Sequence, residues 1–378
     1  MIEVLQFGLG TNPGGIETYL RKIWNHIDHK RFHFNFIDMT GEDQTPCFYD
    51  EFRASHCTFY PITPRQVSVR QNKADIQRLF MNNHFDILHF SVNTLSYILP
   101  VEEAMRAGCS VIVHSRSAGA AKRFITNTLH SINKKRISKW PITRIAVSPM
   151  AGEWLFGKSP FEVYHNGVDT KRFAFSEVNR SMVRRNMKCE DKKVIANVAA
   201  FLPAKNHIFM INTFEAYQRA YPNTVLWFIG DGPLRDQAEQ QVKEKGLEES
   251  ILFLGKRNDL PELYAGMDML WFPSVYEGLG NVVLEAESEG LPCLLSDCIP
   301  QDTLIMDNAF SFSLNATTEQ WIEKIHETIN AQTPDRKICN RIVAEKGWSV
   351  EAEIKRLEEL YSRVSGGTNE SWRRNSRE

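Results

Sequence analysis

The stretch Met269-Leu270-Trp271-Phe272-Pro273-Ser274-Val275-Tyr276-Glu277-Gly278-Leu279-Gly280-Asn281-Val282-Val283-Leu284-Glu285 decides the fold. Its first four residues form an apolar run that stops at a proline, which reads as a buried strand. A Gly-x-Gly turn follows, and the apolar segment from Asn281 reads as a helix. Glu277 precedes the turn and Glu285 sits within the helix. A glycine turn that opens a helix presents backbone N–H groups to an anion. The flanking carboxylates accept hydrogen bonds from hydroxyls. One small region is thereby equipped to hold a phosphate and a sugar together, as a nucleotide sugar requires.

Outward from this unit, short β-rich runs alternate with helical patterns. The first series reads as strands at Val4–Leu9, Phe32–Met39, Cys57–Ile62, Asp86–Phe90, Ser110–His114, Arg144–Ser148 and Glu162–His165. Helices at 15–28, 72–83, 94–106 and a long basic one at 119–139 lie between them. The second series starts at Lys193–Phe201 and continues with strands at Thr224–Gly230, Ile251–Gly255, Met269–Pro273, Pro292–Ser296 and Phe310–Leu314. Its helices fall at 207–220, 234–245, 259–266, 281–289, 317–331 and 335–346. Strand–helix alternation with continuous apolar strands predicts parallel sheets covered on both faces. The fold class expected is α/β, with two doubly wound, Rossmann-like domains facing across a cleft. The first spans 1–170 and the second 188–348. A helix at 349–364 follows, and the polar segment at about 170–190 reads as the linker. Residues 365–378 read as a disordered tail.

A chain of 378 residues with 42% hydrophobic and 24% charged content is ordinary for a globular protein of two domains. Seven scattered cysteines without a Cys-x-x-Cys pair predict a reducing, cytoplasmic setting. No apolar run reaches the roughly 18 residues of a membrane span, and no signal peptide is visible. Net charge of −1 hides an asymmetry. Residues 104–152 contain no acid but hold Arg106, Arg116, Lys122, Arg123, Lys134, Lys135, Arg136, Lys139 and Arg144. That stretch is either a solvated basic face or a surface for an anionic partner, phospholipid headgroups or a lipid diphosphate; the former would place the protein on the inner face of the cell membrane. Trp140 suits a membrane interface or the core. No nucleic-acid partner is expected.

Several residues carry chemistry. The loop Gly8-Leu9-Gly10-Thr11-Asn12-Pro13-Gly14-Gly15-Ile16-Glu17 follows the first strand, but Pro13 takes the place of the third glycine in a dinucleotide fingerprint. A nicotinamide-dependent oxidoreductase is therefore a weak alternative, supported by Asp38 alone. Gly14 and Gly15 either admit a close ligand or meet a turn that needs positive φ. Lys205 follows a strand and precedes a helix that Asn206 would cap. It shares a sheet edge with the Gly278–Gly280 turn and would neutralise a diphosphate there. His114 ends a strand, where it is structural or faces the cleft. It is followed by the polar run Ser115-Arg116-Ser117. No Asp-x-Asp, His-x-x-x-His or cysteine cluster offers a metal site, so no metal and no cofactor are expected.

Together these residues resemble the retaining GT-B glycosyltransferases of family four, in particular the branch that builds capsular and exopolysaccharides. The resemblance spans about residues 1–364. It rests on the Glu277…Glu285 element, with support from Gly14-Gly15-Ile16-Glu17, Asn166-Gly167-Val168-Asp169, Lys205-Asn206-His207, Gly230-Asp231-Gly232-Pro233 and Phe253-Leu254-Gly255. It implies a retaining, metal-independent glycosyltransferase that moves a hexose or N-acetylhexosamine from a UDP-linked donor to a glycan or lipid-linked acceptor. Glu285 would accept the ribose hydroxyls and Glu277 the donor-sugar hydroxyls. Lys205 and the N–H groups at Gly278, Leu279, Gly280 and Asn281 would hold the diphosphate, with Arg257 near the base. Gly14, Gly15 and His114 would lie at the reaction centre, with His114 hydrogen-bonding the sugar. Arg116 and Glu17 are acceptor-side candidates. The helix at 349–364 would return to the first domain.

The resemblance fails at two places. Ala199-Ala200 stands where the family has Gly-Arg, so the arginine that assists the lysine is missing. A charge-assisted hydrogen bond is worth about 1.5–3 kcal/mol. Either Arg235 or Arg257 substitutes, or transfer is slow, or the chain is a non-catalytic nucleotide-sugar-binding component of an assembly complex. In the second place, Arg116 replaces a histidine, which points to a changed and anionic acceptor or to a weakened site.

Overall fold

The computed structural model describes residues 1–119 and 124–366. Lys122, Arg123 and the tail from residue 367 lie outside the described residues. The chain divides into two compact units. One is Met1–Asn166 with the residues from Glu351 onward, and the other is Gly167–Val350.

The first unit holds seven parallel strands: β1 (Ile2–Phe7), β2 (Phe32–Asp38), β3 (Thr58–Pro61), β4 (Ile87–Val92), β5 (Ser110–Ser115), β6 (Thr143–Ala146) and β7 (Glu162–Val163). Their order is β3-β2-β1-β4-β5-β6-β7. The last helix, Val350–Ser365, belongs to this unit. Glu358 accepts a hydrogen bond from the Asp28 amide, Glu353 pairs with Lys22, and Arg363 pairs with Glu162.

The second unit holds six parallel strands: β8 (Lys193–Val198), β9 (Thr224–Ile229), β10 (Ile251–Gly255), β11 (Met269–Phe272), β12 (Cys293–Ser296) and β13 (Ala309–Phe312). Their order is β10-β9-β8-β11-β12-β13. All residues of β9 and β11 are buried, which is why these strands read as unbroken apolar runs. Trp227, Trp271 and Trp321 are the largest side chains in this core, each 0% exposed.

The segment read as a linker is structured. Glu177–Asn186 is a helix capped by Ser176, packed on the helix Leu260–Gly266. Arg180 and Arg184, one turn apart, both bond the Asp268 carboxylate. Its polarity comes from arginines that bury their heads against carbonyls and one aspartate, a pattern that hydropathy alone reads as solvent-facing. Helices Tyr49–Ala54 and Pro149–Phe156 are additional to the sequence reading. The helix expected from residue 94 starts at Leu99.

The acid-free basic stretch is largely satisfied within its own unit. Lys134 donates to the carbonyls of Glu153 and Trp154. Arg144 donates to four carbonyls between Ile137 and Ile142. Arg136 and Arg106 pair with Glu102 and Glu103, the acids just before the stretch. Lys135 and Lys139 remain exposed. Trp140 is half-buried, with the Arg136 guanidinium 5.7 Å from its ring centre. No helix of the described residues is long and apolar enough to cross a membrane.

Candidate functional site

In the second unit, chain order reverses at β8 and β11. β9 and β10 lie beyond β8, while β12 and β13 lie beyond β11. Open parallel sheets bind ligands outside the carboxyl ends of strands at such a point. The loops that leave β8 and β11 are stitched together there. The Val275 amide donates to Ala204 O at 2.8 Å, and Asn206 Nδ2 donates to Pro273 O at 3.3 Å. Asn206 occupies the cap position of helix His207–Ala220, but its φ is +62° and its side chain makes no capping bond. The expected cap is replaced by this bridge between loops.

The same stitching joins Lys205 to Glu277 in an ion pair, with side chains 18% and 14% exposed. The Lys205 ammonium also sits 5.0 Å from the centre of the Phe272 ring. The cation expected at a diphosphate and the carboxylate expected at a sugar are thus in direct contact. Gly280 follows with φ +87° and caps helix Asn281–Ser288. Leu279 is 3% exposed, and its carbonyl lies 2.6 Å from the Thr303 hydroxyl. Its contribution to the loop is therefore an anchor in the core as well as a backbone N–H.

Glu285 is half-buried and accepts a hydrogen bond from the Tyr264 hydroxyl at 3.0 Å. Burial, and then the Glu285 charge, push the Tyr264 phenol well above its ordinary range, so it remains a donor. Arg257 is bidentate to Asp259 at 2.8 and 2.5 Å. Arg235 pairs with Glu239. Ala200 is exposed at the end of β8. Both arginines weighed as substitutes for the missing one are engaged with carboxylates of their own.

The glycine loop of the first unit differs from expectation. Neither Gly14, with φ −130°, nor Gly15 has positive φ, and a side chain at Gly15 would meet open space. That conformation falls on Gly8, whose φ is +119° and whose Cβ would lie 2.7 Å from Ser91 O. Glu17 folds back on this loop and accepts the Gly10 amide at 3.1 Å. Burial raises its pKa, opposed by backbone N–H groups at Glu17, Gly10 and Gly14. The structure places Glu17, the acceptor-side candidate, as a brace of this loop.

His114 is 1% exposed and both ring nitrogens are engaged. Arg116 Nη1 lies 3.2 Å from Nε2, and His89 Nε2 lies 3.0 Å from Nδ1. Since arginine only donates, His114 Nε2 accepts and its proton sits on Nδ1. That proton goes to His89 Nε2, which leaves His89 with its proton on Nδ1, 2.6 Å from the Tyr361 hydroxyl. Burial and the nearby Arg116 charge hold His89 down to about 3 and His114 well below its ordinary value. Both rings are neutral. His114, expected from the sequence at a sugar, is thus the middle member of a buried relay. Arg116 is itself packed into this corner. It stacks 3.7 Å from the Tyr19 ring centre and donates to Asn166 Oδ1 at 2.9 Å.

His89, Tyr361 and Gln6 escaped the sequence reading. Gln6 and His89 are polar residues flanked on both sides by apolar ones in their strands, and that is the signal they carried. Tyr361 carried none, because its partners are hundreds of positions away.

Residues 179–345 match the sequence model described as glycosyl transferases group 1. Over 95% of this chain and 96% of its own length, a putative glycosyltransferase, EpsF of Bacillus subtilis (strain 168), is 26% identical. An Escherichia coli UDP-Gal:alpha-D-GlcNAc-diphosphoundecaprenol alpha-1,3-galactosyltransferase is 22% identical over 92% of this chain and 93% of its own. Among solved structures, Anabaena Alr3699/HepE in complex with UDP and glucose superposes with a TM-score of 0.78 at 19% identity, over 96% of this chain and 100% of that one. Sucrose-phosphate synthase from Thermosynechococcus elongatus gives 0.75 at 17% identity, over 96% and 99%.

Proposed function

We propose that this chain, a glycosyltransferase of the GT-B fold with a group 1 domain at residues 179–345, is a retaining, metal-independent enzyme of family four. It moves a hexose or N-acetylhexosamine from a UDP-linked donor to a glycan or lipid-linked acceptor in cell-surface polysaccharide synthesis. The observation that carries the reading is the Lys205–Glu277 contact at the β8/β11 switch point, beside the glycine turn of helix Asn281–Ser288. A diphosphate takes Lys205 from Glu277, and the released carboxylate turns to the sugar hydroxyls. The helix amino terminus adds positive potential. Glu285, oriented by Tyr264, accepts the ribose hydroxyls. Attack comes from the face the leaving group departs, and the leaving phosphate oxygen takes the acceptor proton. No side-chain nucleophile is then needed.

The first unit binds the acceptor. Peripheral contact with the inner face of the membrane, carried by the exposed Lys135 and Lys139, is part of the proposal. Support for UDP comes from relatives and structures whose names include it. A second reading, a binding component without transfer, is favoured by one observation: Arg235 and Arg257 are already paired. Incubation with UDP-glucose, UDP-galactose and UDP-N-acetylglucosamine, with UDP release followed, separates the two. Release from one donor supports the enzyme. Tight UDP binding without release selects the binding role, and saturable NADH binding without UDP binding overturns both.

A further inference from the structure

The first sheet has its own switch point. β2 and β3 lie beyond β1, and β5 to β7 lie beyond β4. Outside the carboxyl ends of β1 and β4 is a cavity of about 590 Å³, with Gly8 from one strand's exit and Ser91 from the other in its lining. Two polar groups in that lining have capacity for a ligand. Ser91 Oγ is fully buried and has no hydrogen-bond partner. Arg65 is half-buried and forms no ion pair among the described residues. Its one hydrogen bond is a 3.5 Å contact to Ser96 O. A guanidinium offers five donors in a planar fork, so most of them are left to solvent or to a ligand.

The setting of Arg65 is rigid. Its guanidinium lies 4.8 Å from the centre of the Tyr97 ring. The Tyr97 hydroxyl donates to Asn72 Oδ1 at 2.8 Å, and Asn72 Nδ2 donates to Thr63 O at 2.8 Å. Burial pushes the Tyr97 phenol up to about 12, so it stays a donor. The ring is a fixed platform, and the loop that carries Arg65 is tied to the same asparagine. Around this fork the lining is apolar: Phe7, Met39 and Val69 contribute. Val69 is 66% exposed and forms an apolar lip.

We propose that this cavity binds the acceptor, and that the acceptor presents a phosphate or carboxylate to Arg65 while an apolar face lies along Phe7, Tyr97 and Val69. This rests on the glycosyltransferase reading and narrows its acceptor to an anionic, amphipathic one. A planar fork with unused donors matches the paired oxygens of phosphate or carboxylate. A neutral sugar would leave that charge without a partner. A lipid-linked diphosphate and a uronic acid share the required chemistry.

The full chain is titrated calorimetrically with geranyl diphosphate and with methyl glucuronide, each at saturating UDP so that Lys205 is occupied. Binding of the first assigns a lipid diphosphate, and binding of the second a uronate. Arg65→Met is expected to weaken the bound anion about 10- to 100-fold, with UDP affinity unchanged. Val69→Glu alters an exposed position that does not hold the fold, and its carboxylate is expected to weaken the anion about 3- to 10-fold. If neither anion binds, if both variants bind it as the parent does, or if Lys205→Met weakens it as much as Arg65→Met, the proposal fails. UDP binding is read from its own titration, so its absence overturns the functional reading, and the anion titrations are interpreted without it.

Discussion

The Tyr361 hydroxyl lies 2.6 Å from His89 Nδ1 and accepts the proton that Arg116, through His114, forces onto that nitrogen. Gln6 Nε2 meets the same oxygen at 3.1 Å. One phenol from the last helix thus terminates a buried relay that spans β1, β4 and β5. Tyr361→Phe leaves two buried donors without an acceptor, each costing about 1–3 kcal/mol. Chemical denaturation is expected to show a loss of about 2–4 kcal/mol. A loss under about 0.5 kcal/mol would remove the relay as a stabilising element.

Lys205 and Glu277 are predicted to separate in their effects. Lys205→Met removes the cation for the diphosphate and is expected to weaken UDP about 10- to 150-fold by calorimetry. Glu277→Gln keeps that cation and is expected to leave UDP within about threefold while lowering UDP release at least about 100-fold. Equal effects of both variants on UDP binding would contradict the assigned roles.

Ala200 is exposed at the end of β8, where the resemblance calls for arginine. Ala200→Arg is expected to raise UDP affinity or UDP release about 10-fold, the lower end of a charge-assisted hydrogen bond. A variant with unchanged affinity and rate shows that this position does not face the diphosphate.

Glu287 supplies a pH test. Burial raises it to about 8, although the amides of Ile305 and Met306 donate to Oε1. The stability tied to its protonated form is full below the unfolded value of about 4.3 and is lost as pH rises through 8. The slope is about 1.4 kcal/mol per pH unit. His89 acts in the opposite sense, since its lowered value makes stability rise with pH from about 3 to its ordinary value. Glu289, raised to about 7, adds to the Glu287 term below that value. Melting temperature is therefore expected to fall between pH 7 and 8, and Glu287→Gln is expected to flatten that fall. An unchanged slope in the variant assigns the pH response elsewhere.

Lys135 and Lys139 carry the membrane expectation, because Lys134, Arg136 and Arg144 are held by carbonyls and acids. Their joint replacement by glutamine is expected to reduce sedimentation with anionic vesicles by about 2 kcal/mol equivalent, roughly 30-fold. Sedimentation unaffected by the pair rules out this surface.

The amino-acid sequence alone determined the two parallel α/β units. Unbroken apolar strands such as Thr224–Ile229 and Met269–Phe272 admit few other solutions. It also indicated Lys205, Glu277 and Glu285, because the strand–glycine–helix pattern is local and each follows or sits within a recognisable element. Tertiary structure decided what these groups touch. The linker's arginines bury against Asp268, and the basic stretch finds acids and carbonyls that composition hides. His114 bonds His89, which in turn meets Tyr361, residues 25 and 247 positions away from His114 in the chain. Arg65 and Ser91 drew no notice in one dimension, since an unpaired guanidinium and an orphaned hydroxyl exist only once the surrounding partners are placed. Local periodicity encodes the strands and helices, whereas hydrogen-bond satisfaction and desolvation are properties of the whole packed unit.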